Sequence, residues 1–246
     1  MKIGVTGCSN SHTAWGNPWW YYLGEEYGAE IISSSSSGGG NEMNIEKMKH
    51  ILEVNQDLDY FVVQLTQSGR FLVGLNDWYD EHTKNVHHGF NLKKGSYDDI
   101  WELHRPNNFG GVGYYSFNGH NNNMNLKRLL KKDVDVDEVF INHFFMSDYN
   151  LNYKIFHTMM CMQQLCDIHN VKLIFFSWFN NLDELAQNSG HVETLQRMNV
   201  APGCVFDFTK ENNIEPIPGD GHFDSDAHKR IFEEFINPYI KNIIKQ

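Results

Sequence analysis

Residues 1–11 read MKIGVTGCSNS and decide the fold of this chain. The run Lys2–Thr6 is short and largely apolar, which predicts a buried β-strand. Gly7-Cys8-Ser9 then interrupts the apolar run with a glycine turn. A serine is therefore expected directly after the first strand, at its carboxyl end. In open α/β sheets this is the edge at which ligands bind.

Helical and strand patterns alternate along the chain after this turn. The segments up to residue 65 predict strand, helix, strand, helix, strand, which favours a parallel sheet with right-handed crossovers. Later segments add a long helix, a strand and a closing helix, and Cys204–Phe208 is predicted as a last short strand. The fold class expected is α/β, a three-layer α/β/α sandwich with a mainly parallel sheet, as in flavodoxin-like proteins. The segments are Lys2–Thr6, Asn17 to about Gly28, Ala29–Ile32, Asn41–Asn55, Tyr60–Leu65, Asp148–Asn170, Val171–Trp178 and Ser225–Ile244, and regular structure also resumes at Glu138–Asn142.

The length of 246 residues suits a single domain spanning residues 1–246. An irregular insertion at about 69–137, rich in Asn, Gly and His, interrupts the pattern. We expect it to lie over the carboxyl edge of the sheet as a lid or substrate wall. The run Ser33–Gly40 reads either as a flexible linker or as a glycine turn whose N–H groups approach a ligand. Its place inside an α/β unit favours the turn.

Composition and charge exclude several classes of protein. A net charge of −11 with scattered basic residues argues against binding nucleic acid, which needs a concentrated Lys/Arg face. The four cysteines lack the paired spacing of a zinc site and are too dispersed for a disulfide scaffold. The sequence shows neither a signal-peptide pattern nor an apolar run of membrane-spanning length. We expect a cytoplasmic, reduced protein without a membrane span, a cofactor or a metal.

The other end of the chain carries the partners that a serine needs for catalysis. Residues 219–224 read GDGHFD and precede the closing helix, which contains His228. A serine becomes nucleophilic when a histidine takes its proton and an acid orients that histidine. Ser9, His222 and Asp220 are the predicted catalytic residues. The alternatives are that Ser9 caps a helix and that His222 is a surface residue in a turn.

The ordered set of segments resembles the SGNH (GDSL-like) hydrolase family. Gly7-Cys8-Ser9 is similar to its first block, and the aromatic helix Trp20–Leu23 follows as it commonly does there. Ser37–Asn41 resembles the second block, and Asp220–His222 with His228 resembles the last. The resemblance implies an SGNH-like fold and a Ser9 nucleophile. It also implies an oxyanion site formed by the backbone N–H groups of Ser9 and Gly38.

Two positions depart from the family pattern. Cys8 stands where the family usually has an aspartate, a position that mostly shapes the turn. The third block, LTQSGRF at residues 65–71, lacks the asparagine that helps the family bind the oxyanion. Gln67 or Ser68 is the expected substitute donor. Arg70 is the most site-like arginine and is a predicted ligand for a carboxylate or sulfate of the substrate.

Three functional hypotheses follow from these residues. The first is a serine esterase that removes an O-acyl group, expected to be O-acetyl, from a carbohydrate-like or other small-molecule substrate. The second is a catalytically degenerate SGNH-like domain that binds glycan or protein partners. The third is a metal-dependent hydrolase using the histidines at 82, 87 and 88, whose spacing matches no compact zinc motif. A histidine-rich surface loop is the favoured interpretation of that last group.

Overall fold

The fold was obtained as a computed structural model, which describes residues 1–35, 40–67, 70–75, 113–118 and 148–244. Within these ranges the strands form a parallel four-stranded sheet and a separate antiparallel pair. The strands are β1 (Lys2–Gly7), β2 (Glu30–Ser35), β3 (Tyr60–Leu65), β4 (Arg70–Leu75), β5 (Gly113–Asn118) and β6 (Lys172–Ser177). The parallel sheet has the order β2-β1-β3-β6. The predicted α/β fold with a mainly parallel sheet is confirmed.

The described helices lie on both faces of this sheet. They are α1 (Trp19–Tyr27), α2 (Asn41–Val54), α3 (Asp148–Ile168), α4 (Leu182–Ser189), α5 (Val192–Gln196), α6 (Val205–Glu211), α7 (Ser225–Arg230) and α8 (Asn237–Ile240). A π-helical stretch, Ile231–Ile236, joins α7 to α8. None of the helices described is both long and apolar enough to cross a membrane.

Alternate residues of each buried strand point to opposite faces and fill two separate cores. Val5 and Val62 pack with α1 and the α7–α8 segment, in a core that includes Trp19 and Phe232. Phe61 and its neighbours on the other face pack with α2 and α3. The apolar runs of β1, β3 and β6 are buried on both faces because helices cover both sides of a parallel sheet.

The strand order fixes where a ligand can bind. From β1 the chain crosses to β2 on one side, and from β3 it crosses to β6 on the other. The connections that leave the carboxyl ends of β1 and β3 therefore diverge. Such a switch point opens a crevice between the two strand ends, and Ser9 follows β1 at this position.

The structure corrects one predicted strand and adds another pair. Cys204–Phe208 is not a strand, because Val205 begins the helix α6. Val205 and Thr209 are its buried residues, a helical i, i+4 spacing that the short apolar run concealed. Within the predicted insertion, β4 and β5 form an antiparallel pair where the sequence indicated irregular structure. The segment at 138–142, where regular structure is predicted to resume, lies outside the described residues, and the lid remains a prediction.

Candidate active site

Ser9 lies in a tight turn at the carboxyl end of β1. The N–H of Ser11 donates to the carbonyl of Cys8 at 2.9 Å, and the N–H of His12 donates to the carbonyl of Ser9 at 3.0 Å. A side chain at Gly7 would collide with Ser11 and with Gln64, so the close approach of this turn to β3 requires glycine there. Ser9 is 5% exposed, and its Oγ makes no hydrogen bond with the other described residues.

The side chain of Gln64, on β3, forms hydrogen bonds with the turn that contains Ser9. Its Oε1 accepts the Ser11 hydroxyl at 2.6 Å and the backbone N–H of Cys8 at 3.3 Å. Its Nε2 donates to the Cys8 sulfur at 3.1 Å. The indole N–H of Trp19 donates to Ser11 Oγ at 2.8 Å, which completes a buried polar network. Sequence reasoning did not identify Gln64, although a single amide inside the apolar run at 60–65 was a signal for it.

Asp220 and His222 form a hydrogen-bonded pair, with His222 Nδ1 against Asp220 Oδ1. The other carboxylate oxygen, Oδ2, accepts the indole N–H of Trp15 at 2.7 Å. The Trp15 and His222 rings stack with centroids 3.7 Å apart and 12° between their planes. The hydrogen bonds from His222 and Trp15 lower the pKa of Asp220 below its usual value. Trp15 therefore contacts both members of the pair.

The turn that carries this pair depends on two glycines. Gly219 and Gly221 both have φ of +80°, a conformation that favours glycine. The N–H of Asp220 donates to the carbonyl of Ile217 at 3.1 Å, and the N–H of Ile217 donates to the carbonyl of His222 at 2.7 Å. This tight loop directs the side chains on either side of Gly221 toward each other.

Contacts between the two ends of the chain bring this loop to the edge that carries Ser9. The N–H of Asn17 donates to Ser225 Oγ at 2.9 Å, and Tyr22 Oη donates to the Ser225 carbonyl at 2.9 Å. His12 lies close enough to His222 for the two rings to interact electrostatically. Burial is the main reason that the pKa of His12 is lowered, and the nearby Lys47 and His222 lower it further. No hydrogen bond joins Ser9 to His222 among the described residues.

Two further residues of the last block have structural roles. Asp224 accepts the N–H of Ala227 at 2.9 Å and caps α7. His228 is buried against Trp178 and Phe223, and desolvation lowers its pKa to about 4. An uncharged His228 belongs to the core. Asp220, and not Asp224, is the carboxylate that contacts His222.

The structure describes the remaining predicted site residues only in part. Gln67 is half-buried and follows β3, and the backbone of Arg70 begins β4. Gly38 and Ser68 lie outside the described residues, as do the histidines at 82, 87 and 88. Within the described part of the chain, no group of three His, Cys, Asp or Glu side chains is placed to hold a metal ion.

Comparisons with known proteins bear on the fold. No protein-family model matches this chain, and no curated protein matches its sequence. Among solved structures, TesA matches with a TM-score of 0.51 and 12% identity, over 99% of this chain and 100% of that one. The psychrotrophic esterase EstA from Pseudoalteromonas sp., inhibited by monoethylphosphonate, matches with a TM-score of 0.50 and 11% identity, over 98% of this chain and 97% of that one. At this identity the likeness shows the fold, and the expected SGNH (GDSL-like) hydrolase fold is confirmed.

Proposed function

We propose that this chain is a serine-dependent hydrolase of acyl esters. The observation that carries the proposal is the Asp220–His222 pair, which Trp15 contacts at the edge of the sheet where Ser9 follows β1. A histidine whose Nδ1 is bound by a carboxylate presents its Nε2 to a serine. The fold shared with TesA and with the esterase EstA supports the same reaction class.

In the proposed reaction, Ser9 Oγ attacks the acyl carbon and His222 Nε2 accepts the serine proton. Asp220 holds His222 with Nδ1 protonated and stabilises the imidazolium that forms. His222 then protonates the leaving alcohol. In the second half of the reaction, His222 takes a proton from a water molecule that attacks the acyl carbon, and it returns a proton to Ser9 Oγ as the acid is released. Catalytic hydrogen bonds often tighten only when substrate is bound, so Ser9 need not contact His222 in the free protein.

The oxyanion of the tetrahedral intermediate needs donors beside Ser9. The N–H groups of Ser9 and Gly38 are the proposed backbone donors, and Gln67 or Ser68 is the proposed side-chain donor. Gln67 follows β3 directly, at the switch point beside β1. The proposed substrate is an O-acetyl ester, with a carbohydrate as the alcohol and Arg70 as a ligand for a negative group on it. The resemblance to the SGNH family is what supports these substrate assignments.

A second candidate is a non-catalytic domain that binds a glycan or a protein. The absence of a Ser9–His222 hydrogen bond in the described structure favours it, as does the third block without asparagine. Loss of one oxyanion donor costs about 10²- to 10³-fold in turnover. An enzyme with this defect would be slow unless another group replaces the donor.

The two candidates are separated by p-nitrophenyl acetate hydrolysis and labelling with a fluorophosphonate. We expect turnover and labelling in the wild type, and neither in Ser9→Ala. Ser189→Ala is the matched control, because Ser189 lies at the end of α4 and, within the described part of the chain, its hydroxyl donates only to the carbonyl of Leu185. A wild type that hydrolyses no faster than Ser9→Ala and takes up no label refutes the esterase. Activity lost in chelator would point to the metal-dependent alternative.

A further inference from the structure

Lys47 is a buried lysine whose amine forms neither a hydrogen bond nor a carboxylate ion pair within the described residues. It lies on α2 and is 1% exposed. Its Nζ is buried and has no hydrogen-bond partner among the described residues. Lysines are almost never fully buried unless they are paired, because removing an ammonium group from water is costly. A buried charge that destabilises the fold in this way is a candidate for a functional residue.

The position of Lys47 on α2 directs its amine toward the Ser9 turn. Asn44, one turn earlier on the helix, accepts the Thr6 hydroxyl at 3.0 Å and donates to the Gln64 carbonyl at 3.4 Å. Side chains on a helix lean toward its N-terminus, so Lys47 extends back toward the same strand ends. It interacts electrostatically with Cys8, which precedes Ser9, and with His12, which lies three residues after Ser9.

The described groups that face Lys47 offset its charge only in part. Cys8 is buried and its sulfur accepts a hydrogen bond from Gln64, and His12 is a second basic group. Burial lowers the pKa of Lys47 to about 7, and the nearby Cys8 opposes this only in part. The ammonium form therefore places beneath the turn that carries Ser9 a positive charge that the described groups offset only in part.

We propose that the Lys47 ammonium supplies the positive field that stabilises the oxyanion formed at Ser9, in place of the asparagine missing from the third block. This inference rests on the proposed esterase function. Lys47 acts through space and does not touch the substrate, since its Nζ is enclosed by protein. In a poorly solvated site such a fixed charge is effective over several ångströms, because water does not screen it.

The pH dependence of kcat/KM tests this role. His222 must be neutral to act as a base, and Lys47 must be protonated to supply its field. We expect kcat/KM for p-nitrophenyl acetate to fall as pH rises through about 7, the pKa of Lys47. Lys47→Met should lower kcat/KM by about tenfold below that pH and should lack this alkaline fall. Lys47→Arg, if it folds, should keep the activity and lack the fall, since a guanidinium stays charged.

Two controls identify the group that titrates. Cys8→Ser removes the neighbouring thiol, so persistence of the alkaline fall in this variant excludes Cys8 as its source. Lys154→Met removes another largely buried lysine, one paired with Glu42 at 2.7 Å, and should leave kcat/KM within about twofold of wild type. If Lys47→Met leaves kcat/KM and its pH profile unchanged, the role of Lys47 is refuted and the proposed esterase function is not. Absence of Ser9-dependent turnover in the wild type would instead overturn the proposed function, and this inference with it.

Discussion

Replacing Lys47 by methionine is expected to stabilise the protein. The pKa of Lys47 is about 7 in the folded protein and 10.5 as an ordinary lysine. Each pH unit between two such values corresponds to about 1.4 kcal/mol, so burying the charged amine costs about 5 kcal/mol. Methionine fills the space of the lysine stem without a charge, and it removes this cost. The free energy of unfolding of Lys47→Met at pH 6 should therefore exceed that of the wild type by up to about 5 kcal/mol.

The sign of the pH dependence follows from proton binding. Between pH 7 and 10.5 the unfolded chain keeps a proton on Lys47 that the folded chain has lost. The free energy of unfolding therefore rises with pH across that window because of Lys47. Below pH 7 the destabilisation caused by burying the charged amine is fully present. The advantage of Lys47→Met should shrink from about 5 kcal/mol at pH 6 to about 3 at pH 8 and about 1 at pH 10.

Urea denaturation of the wild type and of Lys47→Met at these three pH values measures the difference. Lys229→Met is the control, because Lys229 is exposed and its ion pair among the described residues is with Glu233, so its effect should be small at every pH. A Lys47→Met protein that is less stable than wild type at pH 6 would refute the account of Lys47 as a buried, unpaired charge. So would a stability difference that stays constant up to pH 10.

Three other residues give predictions of the same kind. Trp15→Phe keeps a ring stacked on His222 but loses the N–H that Asp220 accepts, so its kcat/KM should be about tenfold lower than that of wild type. Trp15→Ala also loses the ring, so its kcat/KM should be several-fold lower again. Equal activity in both variants and wild type would exclude Trp15 as a positioning residue. The pKa of His228 is lowered to about 4, so as pH falls through 6.5 this residue takes up a proton in the unfolded chain before it does so in the folded one. Acidification from pH 7.5 to 4.5 should therefore lower the free energy of unfolding by about 2.5 kcal/mol more in wild type than in His228→Leu. Urea midpoints at both pH values check this, and parallel losses would contradict it. Gln64→Leu leaves Ser11 and the Cys8 N–H without their acceptor, so thermal and urea unfolding should show a loss of about 2–3 kcal/mol, and a neutral result would show that the network is dispensable.

The sequence allowed the sheet and the Asp220–His222 pair to be predicted because both depend on local patterns. Apolar runs bounded by turns identified β1, β3 and β6, and a carboxylate two residues before a histidine across a glycine can fold back on it. The strand prediction for Cys204–Phe208 was wrong because five residues are too few to separate a helical spacing from an alternating one, and the structure has the helix Val205–Glu211 there.

The residues that sequence reasoning missed act over long separations. Trp15 bonds to Asp220 across 205 positions, and Gln64 bonds to Ser11 across 53. Lys47 has the sequence context of an ordinary polar residue on an amphipathic helix, where a lysine is expected to face water. Only the packing of α2 against the strand ends shows that its amine is enclosed.

The two departures from the family pattern have one physical explanation if Lys47 acts as proposed. An aspartate at position 8 would lie beside Lys47 as a carboxylate, and its negative charge would cancel the field of the ammonium. The sulfur of Cys8 lies there instead, hydrogen-bonded to Gln64, and its effect on the pKa of Lys47 is smaller than that of burial. Compared with the pattern that the sequence resembles, residues 65–71 lack an asparagine and position 8 lacks an aspartate. Each change alone would weaken or destabilise the site, whereas together they exchange a contact donor for a charge acting through space.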